Sequence, residues 1–244
     1  RGSNYNAYEY VGFGTTTDLG VAQLDEAEEL LIKAWTEDNV KFEGEFFNVS
    51  FPSVRPRPYQ KPHPPLARAC TGDASLVEMA KIGRPVLIRG ASCNATGEKI
   101  ELYRDTMSGA GFSEEEVEKN LDQIWVWREM HIAETDDEAM GDFLPAHIQA
   151  YEYLEEVRAE WNPPEMEISM QRPPLGQSGY GESPDPDASE SLIGGYKRVA
   201  EQVASMRDVG VRNLMLTNRG LVSQEKANKS LTLLNEKIMP SFQG

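Results

Sequence analysis

The chain has 244 residues, 39% of them hydrophobic, and a net charge of −16 from 24 basic and 40 acidic residues. This length and composition provide a sizeable core in one large or two small domains, and the acidic balance argues against a nucleic-acid backbone or an anionic membrane as main partner. No apolar run approaches the roughly 20 residues of a membrane span. Cys70 and Cys93 form no disulfide framework or metal-ligand pattern. We therefore expect a cytoplasmic protein with reduced thiols.

The first predicted element is an amphipathic helix over residues 18–36. No strand precedes it, although the rest of the chain alternates strands and helices and a parallel α/β fold should not begin with its helix. We therefore expect an N-terminal part of the fold to lie outside this sequence. Residues 40–49, which bend at Gly44, predict a short hairpin. The prolines of 52–65 predict an extended connection, because proline is excluded from helix interiors.

Four strand-plus-helix units are predicted downstream. Their strands are 66–69, 85–88, 124–133 and 211–217, and their helices are 71–82, 96–109, 135–160 and 223–238, with further helices from Ser113 and over 196–209. Ser-x-x-Glu at Ser113 and Thr-x-x-Glu at Thr135 are capping-box patterns that open helices. Residues 161–190, rich in proline, glycine and polar residues, predict a long loop or mobile lid.

This alternation predicts an α/β fold with a parallel sheet. A doubly wound sheet and a closed (β/α)8 barrel are both compatible with it, but no G-x-G-x-x-G follows a strand, which weakens the dinucleotide-binding alternative. In the barrel interpretation the chain covers roughly strands four to eight and lacks the first three βα units. We expect one domain over residues 1–244, with 161–190 as an inserted lid.

Ligands of such folds bind at the carboxyl ends of the strands. Thr71 and Ser75 follow a predicted strand and open a helix, where hydroxyls and backbone N–H groups suit a phosphate; an ordinary N-cap is the alternative. Arg1, followed by Gly2, could pair with a phosphate, or belong to a disordered terminus. Arg89 follows the predicted strand 85–88, in a pocket or on the surface.

The three histidines are poor catalytic candidates. His63 lies in the proline-rich connection, His131 lies inside a predicted strand as a core residue, and His147 lies on a long helix. No two of them have metal-ligand spacing. We therefore expect no metal site, and the residues by themselves identify no catalytic group.

Several segments, in order along nearly the whole chain, resemble the bacterial luciferase-like monooxygenases. They are Arg1-Gly2-Ser3, Phe13-Gly14, Glu26-Ala27, Ala34-Trp35, Phe42-x-Gly44-x-x-Phe47, the run from Pro56 to Pro65, residues 69–83, Leu192-Ile193-Gly194 with Val199-Ala200, and the closing run from Ile238 to Phe242. Each motif is short, but the ordered set is specific to this family.

The resemblance implies a barrel that binds reduced FMN delivered by a separate reductase. Addition of O2 to the flavin would give a C4a-peroxide that oxygenates a small organic substrate such as an aldehyde or alkane. Arg1 and Gly2 match the family's phosphate-binding arginine segment, and Cys70, Thr71 and Ser75 match its phosphate-side positions. The resemblance also implies a homodimer and a mobile lid that shields the flavin.

Two departures from the family pattern limit what is carried over. Cys70 stands where the light-emitting enzymes have an acidic residue, and the family's catalytic histidine lies in strands that this sequence lacks, so the catalytic residue is unknown. Two alternatives follow from the same resemblance. One is a non-catalytic partner subunit, and the other is a deazaflavin-dependent reductase that transfers hydride without oxygen.

Overall fold

The computed structural model of the chain describes residues 6–89, 92–164, 191–218 and 222–242, which form two compact units. The hairpin unit contains the described residues of 6–66 and 157–164, and the sheet unit contains those of 67–156 and 191–242. The single-domain assignment stays a prediction, and the predicted lid lies outside the described residues from position 165 onwards. Among the described helices, none is long and apolar enough to cross a membrane.

The hairpin unit confirms the predicted helix and hairpin. It contains α1 (Ala7–Gly12), α2 (Gly20–Thr36), β1 (Val40–Glu43) and β2 (Asn48–Phe51). β1 and β2 pair antiparallel, with Val40 opposite Phe51. The Glu26 carboxylate on α2 accepts the backbone N–H groups of Glu45, Phe46 and Phe47 at 2.6–2.9 Å. This single side chain therefore holds the hairpin turn against α2.

The sheet unit alternates strands and helices as predicted. Its elements are β3 (Arg68–Cys70), α3 (Asp73–Lys81), β4 (Val86–Arg89), α4 (Cys93–Gly109), α5 (Glu114–Leu121), β5 (Trp125–Ala133), α6 (Asp136–Trp161, which continues into the hairpin unit), β6 (Leu192–Gly195), α7 (Tyr196–Asp208), β7 (Leu214–Thr217) and α8 (Gln224–Leu233). A π-helical turn over Leu234–Ile238 and a 3-10 turn over Met239–Phe242 follow α8. The described part of the chain is thus an α/β fold.

In the described residues, β3 to β7 form one sheet in which every pairing is parallel. β5 pairs with β4, β6 and β7, and β3 pairs with β4. The sequence analysis did not predict β6 as a strand. Close packing favours glycine at position 195, because a Cβ there would lie 3.2 Å from the backbone of Thr135. The Gly195 N–H also donates to the Asp136 carboxylate at 2.6 Å, which joins β6 to the start of α6.

Alternate residues of the central strands face the helices. Ile88 of β4 and Val126, Met130 and Ile132 of β5 belong to one buried cluster with side chains of the flanking helices. The residues between them point to the opposite face, because successive side chains of a strand alternate. Trp125, on that opposite face, is 42% exposed. The pattern places Arg89 and Trp127 on this second face of the sheet.

Candidate functional site

The carboxyl ends of β3 and β4 lie at one edge of the parallel sheet. Cys70, the last residue of β3, is opposite Ile88 of β4, and Arg89, the last residue of β4, is opposite Trp127 of β5. Ligands bind at this edge in parallel α/β folds, because the connections into the following helices converge there. The candidate site therefore consists of the β3–α3 connection and the end of β4.

The first turn of α3 presents backbone N–H groups at this edge. Gly72 is its N-cap residue, with extended backbone angles (φ −104°, ψ 160°), and no side chain among the described residues caps the turn. The first N–H groups of an α-helix have no partner within the helix, and the helix dipole adds partial positive charge there. No described atom lies within 4 Å of the place that a Cβ on Gly72 would occupy. These donors are accessible to a ligand and suit a phosphate.

Thr71 and Ser75, predicted as phosphate ligands, flank this turn. Thr71 is exposed, and the Ser75 hydroxyl donates to the Gly72 carbonyl at 2.8 Å. The Cys70 side chain is instead buried in the core. Burial raises the pKa of the Cys70 thiol, although the neighbouring Ser75 hydroxyl opposes the shift. Any contact of Cys70 with a ligand would therefore involve its backbone, and the assignment of all three residues to a phosphate site stays a prediction.

An ion pair offsets the negative charge in the first turn of α3. Asp73 is the first residue of the helix, and its carboxylate would repel a bound phosphate. Its Oδ1 lies 2.5 Å from Nζ of Lys99 on α4. This pair partly offsets the carboxylate charge beside the backbone N–H groups and the Thr71 hydroxyl.

Of the other predicted ligands, Arg1 and Gly2 lie outside the described residues, and their assignment stays a prediction. Arg89 is half-buried at the end of β4. Its guanidinium carbon lies 5.5 Å from the ring centroid of Trp127. A cation over an indole face is attracted by the ring quadrupole, which helps to fix the orientation of Arg89 at the edge.

A buried arginine of β5 is hydrogen-bonded to the first turn of α4, and the sequence did not reveal it. Arg128 is 0% exposed. Its Nη2 donates to the Thr96 hydroxyl at 2.8 Å, and that hydroxyl donates to the Ser92 carbonyl at 2.9 Å. Arg128 and Thr96 are 32 positions apart, so no local pattern relates them. These three residues form what we call the Arg128 hydrogen-bond chain.

Each of the three histidines lies against a neighbouring protein group. His131 is 1% exposed, and its Nε2 lies 3.4 Å from the Asp142 carboxylate. The ring of His147 stacks on Phe143 with a centroid distance of 5.2 Å, and Nδ1 of His63 lies 2.8 Å from the Pro64 carbonyl oxygen. Within the described part of the chain, no group of three or more His, Cys, Asp or Glu residues could hold a metal ion.

Comparison with protein families identifies the family to which the chain belongs. The family of luciferase-like monooxygenases matches residues 2–213. The chain belongs to the luciferase-like monooxygenase family. A curated family relative, the FMNH2-dependent dimethylsulfone monooxygenase of Pseudomonas putida, is 25% identical over 191 residues. That alignment covers 72% of this chain and 47% of the relative, so the chain spans about half the length of the curated relative that it matches.

Solved structures support the same luciferase-like fold. The monooxygenase RslO1 from Streptomyces bottropensis superimposes with a TM-score of 0.75 at 21% identity, over 99% of this chain and 67% of that one. The coenzyme F420-dependent tetrahydromethanopterin reductase of Methanopyrus kandleri gives a TM-score of 0.59 at 14% identity, over 94% of this chain and 65% of that one. At these identities the two structures show the fold alone.

Proposed function

We propose that this chain is part of a flavin-dependent monooxygenase that uses reduced FMN and O2 to oxygenate a small organic substrate. Membership of the luciferase-like family supports this proposal, as does the FMNH2 dependence named for the Pseudomonas putida relative. We further propose that the chain contributes roughly strands four to eight of a (β/α)8 barrel. A separate flavin reductase as electron source, a homodimeric assembly and a cytoplasmic location belong to the same proposal.

The observation that carries the proposal is the uncapped first turn of α3 at the carboxyl edge of the sheet. Its N–H groups and the Thr71 hydroxyl would hold the FMN phosphate, while Lys99 partly offsets the charge of Asp73 beside it. FMN, when bound in its reduced form, supplies the electrons that activate O2. The chain's own residues would bind the phosphate end and fix the position of the ring relative to the sheet.

A deazaflavin-dependent reductase is the second candidate. The similarity to the F420-dependent reductase of Methanopyrus kandleri supports it, because coenzyme F420 and FMN are both named among the solved structures with this fold. The first turn of α3 would serve a phosphate of either cofactor. Direct comparison of FMN and coenzyme F420 in binding titrations separates the two candidates, and tighter binding of coenzyme F420 would favour the reductase.

The test is a titration of FMN and riboflavin into the wild-type chain and a Thr71→Val variant, followed by fluorescence. Loss of a hydrogen bond to the charged phosphate should weaken FMN binding roughly tenfold or more, whereas riboflavin, which has no phosphate, should bind equally well to both proteins. Thr232→Val is the matched control, because the Thr232 hydroxyl on α8 is exposed and donates only to the Asn228 carbonyl of its own helix. Equal losses for FMN and riboflavin would remove Thr71 from the phosphate site.

A further inference from the structure

A buried histidine near the carboxyl end of β5 contacts a carboxylate of the following helix. His131 is 1% exposed, and its Nε2 lies 3.4 Å from Oδ2 of Asp142 on α6. The other carboxylate oxygen of Asp142, Oδ1, lies 2.5 Å from Nζ of Lys226 on α8. Burial opposes ionisation of Asp142, but the hydrogen bonds from Lys226 and His131 lower its pKa below the usual value. The imidazole therefore faces an ionised carboxylate, to which Nε2 donates its hydrogen.

Two further contacts bring α6 and α8 together at the same part of β5. The Ser230 hydroxyl of α8, which is 0% exposed, accepts the Ile132 N–H of β5 at 2.8 Å. Nζ of Lys229 on α8 lies 2.8 Å from Oε1 of Glu138 on α6, and the Glu138 carboxylate also accepts the Glu134 N–H at 3.3 Å. We call the ionisable residues that meet here the His131 cluster, namely His131, Glu134, Glu138, Asp142, Lys226 and Lys229.

The charges of the His131 cluster do not balance while the imidazole is neutral. The cluster has the carboxylates of Glu134, Glu138 and Asp142 but only the two ammonium groups of Lys226 and Lys229. A proton on His131 would supply the missing positive charge.

The other groups near His131 add no positive charge that would replace this proton. Glu129, two residues earlier on the same face of β5, is a further buried carboxyl group, and Ile193, which lies opposite His131 on β6, is apolar. His147 of α6 stacks on Phe143. One effect opposes protonation, because Nδ1 of His131 is buried and has no hydrogen-bond partner within the described part of the chain. The attraction of the cluster and this desolvation cost therefore compete at one nitrogen atom.

We propose that His131 is a proton-operated clamp between β5 and α6. With a neutral ring, Nε2–H donates an ordinary hydrogen bond to Asp142. Uptake of a proton at Nδ1 turns this contact into a charge-assisted hydrogen bond, which is stronger, and balances the cluster. Histidine is the residue type whose charge ordinarily changes between about pH 5 and 8, whereas Asp142 stays ionised in this range because its pKa lies below its usual value. The clamp tightens as the pH falls through this range.

The position of the clamp connects it to the edge of the sheet where ligands bind in this fold. His131 lies two residues before the end of β5, and α6 begins three residues after that end. Protonation of His131 should therefore make the carboxyl end of β5 and the first turns of α6 more rigid. The clamp needs no flavin, so that its test is independent of the proposed function.

Amide hydrogen exchange of the full chain at about pH 5.5 and 7.5, corrected for intrinsic exchange rates, tests the clamp. Protection of residues 138–143 should be about three- to tenfold higher at the lower pH, the gain of a charged over a neutral hydrogen bond. His131→Gln keeps an N–H donor but cannot gain a proton, and Asp142→Asn removes the anionic partner, so both variants should lose this gain. The controls His63→Gln and His147→Gln, which remove the other two histidines, should retain it.

Two further measurements decide the question if His131→Gln does not fold. Lys226→Gln removes the other cation of Asp142 from a half-exposed position, so the gain in protection should become larger. In an NMR titration of the ring, His131 should take up its proton at a lower pH in Asp142→Asn than in the wild-type chain. Equal protection at both pH values in the wild-type chain, a gain that persists in Asp142→Asn, or a gain that disappears in His147→Gln would overturn the inference.

Discussion

Gly97 lies inside α4, where an alanine would ordinarily stabilise the helix. A Cβ at this position would lie 2.9 Å from Cβ of Val209, at the end of α7, and 3.5 Å from the Val209 carbonyl oxygen. Non-bonded carbon atoms prefer separations of about 3.5–4.0 Å. The atom that must move is attached directly to the backbone of Val209, so a rotamer change cannot relieve the contact. We therefore predict that Gly97→Ala destabilises the chain.

The magnitude follows from two opposing effects. Alanine is favoured over glycine in a helix interior by about 1 kcal/mol, and overpacking of a close contact costs about 1–3 kcal/mol. Gly109→Ala, at the last position of the same helix, is the control, because no described atom lies within 4 Å of its added Cβ. Both variants gain helix propensity, so that this gain largely cancels between them. Gly97→Ala should therefore be less stable than Gly109→Ala by about 1–3 kcal/mol in free energy of unfolding.

Urea unfolding followed by circular dichroism measures this difference. Val209→Gly in combination with Gly97→Ala should recover part of the loss, because glycine removes the Cβ that the added methyl group meets; a double-mutant cycle isolates this coupling. A Gly97→Ala variant as stable as Gly109→Ala would refute the close approach of α4 and α7 at this point. Absence of coupling to Val209 would assign the loss to another contact.

Two further predictions concern pH. Burial by itself would raise the pKa of Glu26, but its three backbone N–H bonds lower the pKa below its usual value, so this stabilisation is complete above pH 4.5 and is lost as the pH falls through the folded-state pKa. Glu26→Gln should lower the midpoint of thermal unfolding at neutral pH and flatten this acid dependence; the exposed Glu29→Gln is the control, and equal midpoints would contradict the role of the hairpin contact. Burial raises the pKa of Tyr103 well above 10, so only the unfolded chain ionises there, and stability should fall as the pH rises beyond 10. Tyr103→Phe should remove this alkaline slope, and an unchanged slope in urea unfolding would exclude Tyr103 as its source.

Local signals predicted the elements whose contacts lie within a few residues. The capping box opening α5 is present, with the Ser113 N–H donating to Glu116 at 2.8 Å and the Glu116 N–H donating to the Ser113 hydroxyl at 3.3 Å. The hairpin about Gly44 is present as well. The capping-box contacts join residues three positions apart and the hairpin pairs residues five to eleven positions apart, so residue type and spacing suffice to predict them.

Element boundaries and short strands depended on tertiary contacts. α4 begins at Cys93 with Ser92 as its cap, three residues before the predicted start. β6 was not predicted as a strand, because a Leu-Ile-Gly-Gly run has low strand propensity. Pairing with β5 and the bond from Gly195 to Asp136 stabilise it, and neither contact can be read from four residues.

The same distinction between local signals and tertiary contacts applies to the candidate site. The sequence alone determined that Thr71 and Ser75 follow a buried strand and open a helix, because strand and helix periodicity are local properties. Only the tertiary structure decided that the Cys70 side chain turns into the core and that Arg128 reaches Thr96, 32 positions away. The physical reason is that burial of a thiol or a guanidinium depends on which elements pack against it, and that packing is set by strand pairing between distant segments.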